Sequence, residues 1–204
     1  MSDRTVLGFD TSGPHCACAV LRGGAVLAET FEPMQRGQAE RLMPLVEDVL
    51  RIAGLSWTDL DRIGVGTGPG NFTGLRIAIS AARGLALGLD VRAVGVGSVV
   101  AYSDGLDDVC VALPAPRHRI HLGWGGRLVT RDANLPPPEG WPGRVTGPAA
   151  AMVAAPSVAP APLAASIARL AGGASEPVPP PAPIYPQPAD AAPPADPPPV
   201  ILPH

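Results

Sequence analysis

The chain has no lysine: all fifteen of its Lys/Arg cations are arginine, against eighteen acidic side chains, for a formal net charge of −3. A protein that holds nucleic acid by its phosphates gathers cations on one face or in one stretch. Here the arginines are scattered and outnumbered, so strong nucleic-acid binding by the chain alone is not expected. The missing lysine, with abundant alanine, glycine and proline, reflects a bias over the whole chain, and function has to be read from order and spacing. Cysteine is scarce: Cys16, Cys18 and Cys110. Cys16 and Cys18 alternate by two and share one face of a strand, but a tetrahedral metal site needs further ligands that the neighbouring sequence lacks. Buried, reduced thiols and a cytoplasmic setting are the expectation. Long apolar runs are missing near the start as well. The one after Arg4 stops at Asp10, too short for a secretory signal or a membrane span. No internal repeat is visible.

Apolar periodicity supplies the elements. Thr5 to Asp10 predicts a short buried strand, and Cys16 to Leu21 and Val26 to Phe31 predict two more, joined by a Gly23-Gly24 hairpin turn. A helix is expected from Gln38 to Ala53, because Leu42, Leu45, Val46, Val49, Leu50 and Ala53 recur at three- and four-residue intervals, with Gly54 placed as a left-handed cap. Asp61 to Gly66 is a fourth strand, Thr73 to Leu87 a second helix, Val91 to Val96 a fifth strand and Ser98 to Tyr102 the start of a third helix. The order βββαβαβα predicts an α/β protein, a mixed sheet with helices on its faces. This is the order of the ribonuclease H-like, actin-like ATPase fold, which hosts binding, phosphoryl transfer and hydrolysis alike. Residues 1–108 form the expected first lobe. Residues 109–204 form a shortened second lobe in which Pro114 and Pro116 are expected to interrupt a strand. Within it, Leu163 to Ala171 reads as a helix, and 17 of the 27 prolines lie from Pro148 onward, so the last thirty residues should be extended or polyproline II.

The densest motif is GTGPGNFTGLRIAI, from Gly66 to Ile79. Glycine-rich turns that open a helix can cradle phosphate, and Asp10 and Thr11 in FDTS, with Gly68, Gly70 and Thr73, are the candidate nucleotide contacts. Yet no Lys-Ser/Thr follows the glycines, as a Walker loop needs, and no suitably placed acid lies about twenty residues on, as a Rossmann site needs. Asp90 has the spacing but reads as a turn residue. The competing reading is a stiff turn that aims a helix made small-sided by Gly74, Ala78, Ala81, Ala82, Gly84, Ala86 and Gly88. Interior glycine costs about 0.5–1 kcal/mol against alanine, so Gly84 implies close approach of something. Asp10 in FDTS resembles the position where actin-like ATPases place a magnesium-associated acid, and it could equally cap the strand-end turn. His118 and His121, three apart, would lie on opposite faces of a strand, and with His15 and His204 they form no recognisable catalytic constellation.

Three stretches, LGFDTSGPHCACAVL, RGQAERLMPLVEDVLRIAG and LDRIGVGTGPGNFTGLRIAISAARGLALG, the last followed by VRAVGVGS, together resemble the TsaB (YeaZ) family over about Thr5 to Ser98. The tail APIYPQPADA resembles that family's proline-tyrosine segment more loosely. The resemblance implies a non-catalytic dimerisation subunit that supports a TsaD catalytic subunit and a TsaE ATPase. That complex transfers a threonylcarbamoyl group from its adenylate to adenosine 37 of tRNAs reading codons that begin with A. It implies a partner interface on the first two helices, assigned to Leu42, Leu45, Val49, Phe72, Leu75, Ala78 and Ala82, and a homodimer through the same surface in isolation. No cofactor and no catalytic residue is expected on this chain, with ATP and a metal on the partners and tRNA held mainly through the complex. The catalytic relative's metal-binding His-x-x-x-His falls at Ser98 and Tyr102, neither a metal ligand by type. Gln38 stands where relatives have a histidine, and Pro114-Ala115-Pro116 where they have Asp-Ala-Arg. The alternative is an actin-like ATPase or phosphotransferase using FDTS and GTGPGNFTG as phosphate loops.

Overall fold

A computed structural model describes residues 3–186. Strands β1 (Thr5–Asp10), β2 (His15–Arg22) and β3 (Ala25–Pro33) run antiparallel. Gly23 and Gly24 turn the β2–β3 hairpin at φ +58° and +88°, the left-handed pair that a tight hairpin requires. Helix α1 (Gln38–Ile52) leads through Gly54, at φ +67°, to β4 (Arg62–Gly66). Helix α2 (Phe72–Leu89) ends on a left-handed Asp90 and leads to β5 (Arg92–Val96), which lies parallel to β4. The first sheet has the order β3-β2-β1-β4-β5. Helix α3 (Ser98–Tyr102) then opens the way to a four-stranded sheet of β6 (Cys110–Ala115), β7 (Arg119–Trp124), β8 (Arg127–Asp132) and β9 (Val145–Thr146), in the order β8-β7-β6-β9.

Each face of the first sheet is covered for a different reason. Leu42, Leu45, Val46 and Val49 of α1 and Ala78 and Ala82 of α2 close over Leu7, Phe9, Cys16, Cys18, Ile63 and Val65. The two cysteines share that face, free and fully buried, and burial pushes the Cys16 thiol up to about 11. The other face is covered by α4 (Leu163–Gly173), whose backbone lies almost on the strands. A Cβ at Gly8 would stand 2.5 Å from the Ala164 carbonyl, and one at Gly64 2.8 Å from Ala171 Cβ. Glycine is needed at both places for that contact. Helix α4 therefore packs with the first lobe, although the sequence division at residue 109 assigns it to the second. The proline expectation also changes. Strand β6 runs through Pro114, which pairs with Ile120 on one side. Its other neighbour, β9, reaches only Cys110 and Val111, so Pro114 sits at a locally free edge where its missing N–H costs nothing.

Behind α4 the chain returns along β4 and β5. Arg62 is buried; its Nη1 donates to the carbonyls of Ala171 at 2.9 Å and Ala174 at 2.8 Å, and its Nη2 pairs with Glu176 at 2.6 Å. Arg62→Met strands two carbonyls, so a loss of about 2–3 kcal/mol is expected in urea unfolding. Residues 177–186 continue without helix or strand, as the proline content predicts, and the remaining prolines, with His204, lie outside the described residues. One described helix, α2, is long and apolar enough to cross a membrane by length and composition; Leu75, Ala78, Ile79, Ala82 and Ala86 along it are buried.

Candidate functional site

The β1–β2 turn and the glycine loop close on each other. Asp10 is fully buried, and its Oδ1 accepts from Ser12 N–H, Ser12 Oγ–H and the His15 ring, each at 2.8 Å. The Thr11 hydroxyl donates to Gly74 O at 2.7 Å, and Asn71 N–H donates to Ser12 O at 2.6 Å. Asn71 Oδ1 caps α2 by accepting from Gly74 N–H at 2.9 Å. A Cβ at Gly70 would lie 2.5 Å from Ser12 O, and one at Gly74 1.9 Å from Thr11 O. These glycines serve the approach of the chain to itself. Gly68, at φ +89°, has its carbonyl taken by Ser98 N–H at 2.7 Å, and Thr73 is exposed on the first turn of α2. Of the five nucleotide candidates, Asp10 Oδ1 and the Thr11 hydroxyl are bonded within the chain, while Asp10 Oδ2 is buried without a hydrogen-bond partner among the described residues. Gly68 and Gly70 shape the turn, and Thr73 is exposed at the edge of a cleft. Ser12 and His15 both use the same Asp10 oxygen, so they form no nucleophile–base pair.

A cleft of about 1000 Å³ lies where this turn, the first turns of α1 and α2 and the second sheet meet. Gln38, His15, Asn71, Thr73, Tyr102 and His121 are among its lining residues. His118 stands in the turn before β7, at φ +57°, while His121 is buried on β7 with its Nδ1 2.8 Å from the Thr130 hydroxyl. The opposite-face geometry expected of the pair does not apply, since only one is on the strand. Burial, and then the Arg119 charge, hold the His121 imidazole below its ordinary pKa. The unfolded chain takes up this proton near pH ~6.5 while the folded chain resists it, so stability is full above that value and falls as pH drops below it. Urea midpoints measured upward from about pH 5 should rise toward neutrality, with a shallower slope in His121→Gln. Ser98 Oγ is buried without a hydrogen-bond partner, and burial raises the Tyr102 hydroxyl. Among the described residues no group of three His, Cys, Asp or Glu side chains is placed to hold a metal ion.

The expected partner surface has to be corrected. Leu42, Leu45, Val49, Leu75, Ala78 and Ala82 are all in the core, and of the seven only Phe72 is exposed. The most regular apolar spacing on a helix marks the face turned toward its own sheet, so the residues that define the period are the wrong ones for a partner. The outward face of α2 instead carries Phe72, Arg76, Ser80, Arg83 and Leu87, with Gly84 and Gly88 beside them. Leu87 is 87% exposed. A Cβ at Gly84 or Gly88 meets nothing within 4 Å among the described residues, so the close approach read from Gly84 is absent among them. On α1 the outward ridge is Glu40, Pro44, Glu47 and Arg51, ending near Ile52 at 63% exposure.

The family model for TsaD, tRNA N6-adenosine threonylcarbamoyltransferase, matches residues 26–128, half of the chain. The chain is similar to the tRNA threonylcarbamoyladenosine biosynthesis protein TsaB of Escherichia coli, 39% identical over 100 residues that make up 49% of this chain and 43% of that protein. The chain belongs to the TsaB (YeaZ) family. A protein of the same name from Haemophilus influenzae is 34% identical over 128 residues, 60% of this chain and 54% of its own length. The chain thus spans about half the length of the curated relatives it matches. YeaZ from Pseudomonas aeruginosa superimposes with a TM-score of 0.65 at 28% identity, over 84% of this chain and 91% of that one. The fold is accordingly the actin-like, ribonuclease H-like one. Spacing alone overlooked Arg76, Arg83, Leu87 and Tyr185, and weighed His121 only as a pair with His118. For Leu87 a signal existed: it falls outside the phase of Leu75, Ala78, Ala82 and Ala86.

Proposed function

We propose that this chain is the non-catalytic dimerisation subunit of a tRNA threonylcarbamoyladenosine-forming complex, and that it docks a TsaD-type catalytic subunit on the outer faces of α1 and α2. The observation that carries the reading is the open glycine pair of α2. Gly84 and Gly88 weaken the helix yet a Cβ on either would touch nothing among the described residues, while Leu87 beside them stands in solvent. Small residues on a helix face let a second helix approach closely, and exposed apolar surface of this kind marks a contact. The names of the E. coli and H. influenzae relatives point to the same pathway. The two ridges also differ in charge: α1 carries Glu40 and Glu47 before Arg51 in its last turn, whereas α2 carries Arg76 and Arg83. A partner with the opposite order fits them, as does a second copy when the chain is alone. Catalysis, the metal and ATP then belong to the partners, TsaD and TsaE, in the cytoplasm, and tRNA is held mainly through the complex.

The test is co-purification of this chain with the TsaD-type subunit of the same cell, together with the threonylcarbamoyladenosine content of tRNA in cells that depend on the chain. Wild type should pair and restore the modification; Gly84→Arg should do neither. Bulky charges at Ala78 or Ala82 are unsuitable, because both side chains are in the core. The ATPase alternative predicts heat on titration with MgATP at about 1 mM, reduced by Asp10→Asn. The Thr11 hydroxyl and Asp10 Oδ1 are already bonded within the chain, which weighs toward no heat, whereas Asp10 Oδ2 is without a partner among the described residues.

A further inference from the structure

Between α4 and Ile184 the chain is held at several points, yet the last described apolar residues are left in solvent. Arg62 fastens its start to Ala174 and Glu176. Pro181 is buried, and a Cβ at Gly95 would stand 3.4 Å from its Cα, so β5 is bare where the tail crosses. Ile184 N–H donates to Thr67 O at 2.7 Å, which ties the tail to the glycine loop that launches α2. Its Cδ1 lies 3.4 Å from where a Gly97 Cβ would be. Past these anchors, Ile184 is 40% and Tyr185 44% exposed. The Tyr185 ring packs on Phe72 at 5.4 Å between centroids, and the Arg76 guanidinium sits 3.8 Å from the centre of the Phe72 ring. Phe72 is itself 51% exposed and is the first residue of the outward ridge of α2. A tail that served only to cover the core would bury its apolar side chains; this one buries its anchors and presents an aromatic pair.

We infer that Ile184 and Tyr185, with Phe72 and Arg76, form the end of the α2 docking surface, and that its occupant is a helix of the catalytic partner bearing an apolar side chain for the aromatic pair and a carboxylate for Arg76. This rests on the partner reading under Proposed function. Two features select that chemistry. The paired rings offer flat apolar area at little conformational cost. Arg76 makes no ion pair among the described residues, in contrast to Arg41, held by Glu32 and Asp48, and Arg51, held by Asp48. Its charge lies over a ring, where a cation already has one favourable contact and keeps room for a carboxylate. The ridge from Phe72 to Leu87 runs unbroken from this cluster into the open glycines, so one helix can lie along both.

The test is the affinity of the full chain for the TsaD-type subunit, measured by calorimetry on wild type, Tyr185→Ala, Tyr185→Phe, Arg76→Glu and Gly84→Arg, with a melting curve for each. Tyr185→Ala and Arg76→Glu should each weaken binding by about tenfold or more, Tyr185→Phe should keep it, and the melting temperatures should stay at the wild-type value. Binding by Tyr185→Ala within about twofold of wild type, while Gly84→Arg abolishes it, would overturn the tail's part and leave the partner reading intact. Failure of wild type to bind would overturn both. Sedimentation of the isolated chains gives the other occupant: loss of self-association in Tyr185→Ala with unchanged partner affinity would assign this end of the surface to a second copy and contradict the inference.

Discussion

Gly84→Arg is expected to raise the stability of the isolated chain and abolish its binding to the catalytic partner. The two effects have opposite signs because they arise on different sides of the same backbone atom. Within the chain, glycine in mid-helix leaves excess freedom in the unfolded state, and no described residue lies within 4 Å of the position a Cβ would take. A good helix former there recovers about 0.5–1 kcal/mol, a rise of roughly 1–4 °C in melting temperature for a chain of this size. Outside the chain, the proposed docking puts the closest approach of a partner helix at the same position. A guanidinium on a long stem would hold that helix away and bury a charge without a counter-charge, a loss of several kcal/mol, or on the order of 100-fold or more in affinity. An ordinary destabilising mutation lowers both quantities together; only an interface glycine splits them. Calorimetric melting and titration on the same protein sample read both.

Gly74→Ala, ten residues earlier on the same helix, is expected to do the reverse within the chain. Its Cβ would stand 1.9 Å from Thr11 O and 2.9 Å from Thr11 C, which are backbone atoms and have no rotamer to escape into. The Thr11 hydroxyl is bonded to Gly74 O at 2.7 Å and Asn71 N–H to Ser12 O at 2.6 Å, so the contact cannot open without breaking the cap of α2 and the turn after β1. Overpacking of this kind costs about 3 kcal/mol or more, a fall of roughly 6–12 °C in melting temperature. Partner binding should fall only as far as the folded fraction falls. Gly74→Ala and Gly84→Ala, compared by urea unfolding, thus assign one glycine to the fold and the other to a surface.

The element order was readable because strands and helices here obey their periods. The Gly23-Gly24 hairpin, the left-handed Gly54 and the buried alternation of Cys16 and Cys18 each follow from local chemistry that tertiary packing did not override. The proposed partner face was not readable from apolar spacing, since that spacing reports what a helix turns toward its own sheet. Leu42, Leu45 and Ala82 are core for the reason that made them conspicuous. Glycine carried two meanings that sequence does not separate: Gly70 and Gly74 lie against the chain, while Gly84 and Gly88 meet nothing among the described residues. Long-range returns were the other blind spot. Nothing in the sequence near β1 or β4 says that Gly8 and Gly64 make room for a helix more than a hundred residues later, or that Arg62 waits for Glu176. The run through Pro114 depended on how short β9 is, which is likewise a property of the assembled sheet.

Amide hydrogen exchange of the chain alone and saturated with its TsaD-type partner tests the docking surface most directly. Slower exchange is expected across Phe72–Leu89 and Gln38–Ile52, with β6, β7 and β8 unchanged. Protection confined to the second sheet or to the cleft around His15 and His121, with both helices exchanging as in the free chain, would contradict it.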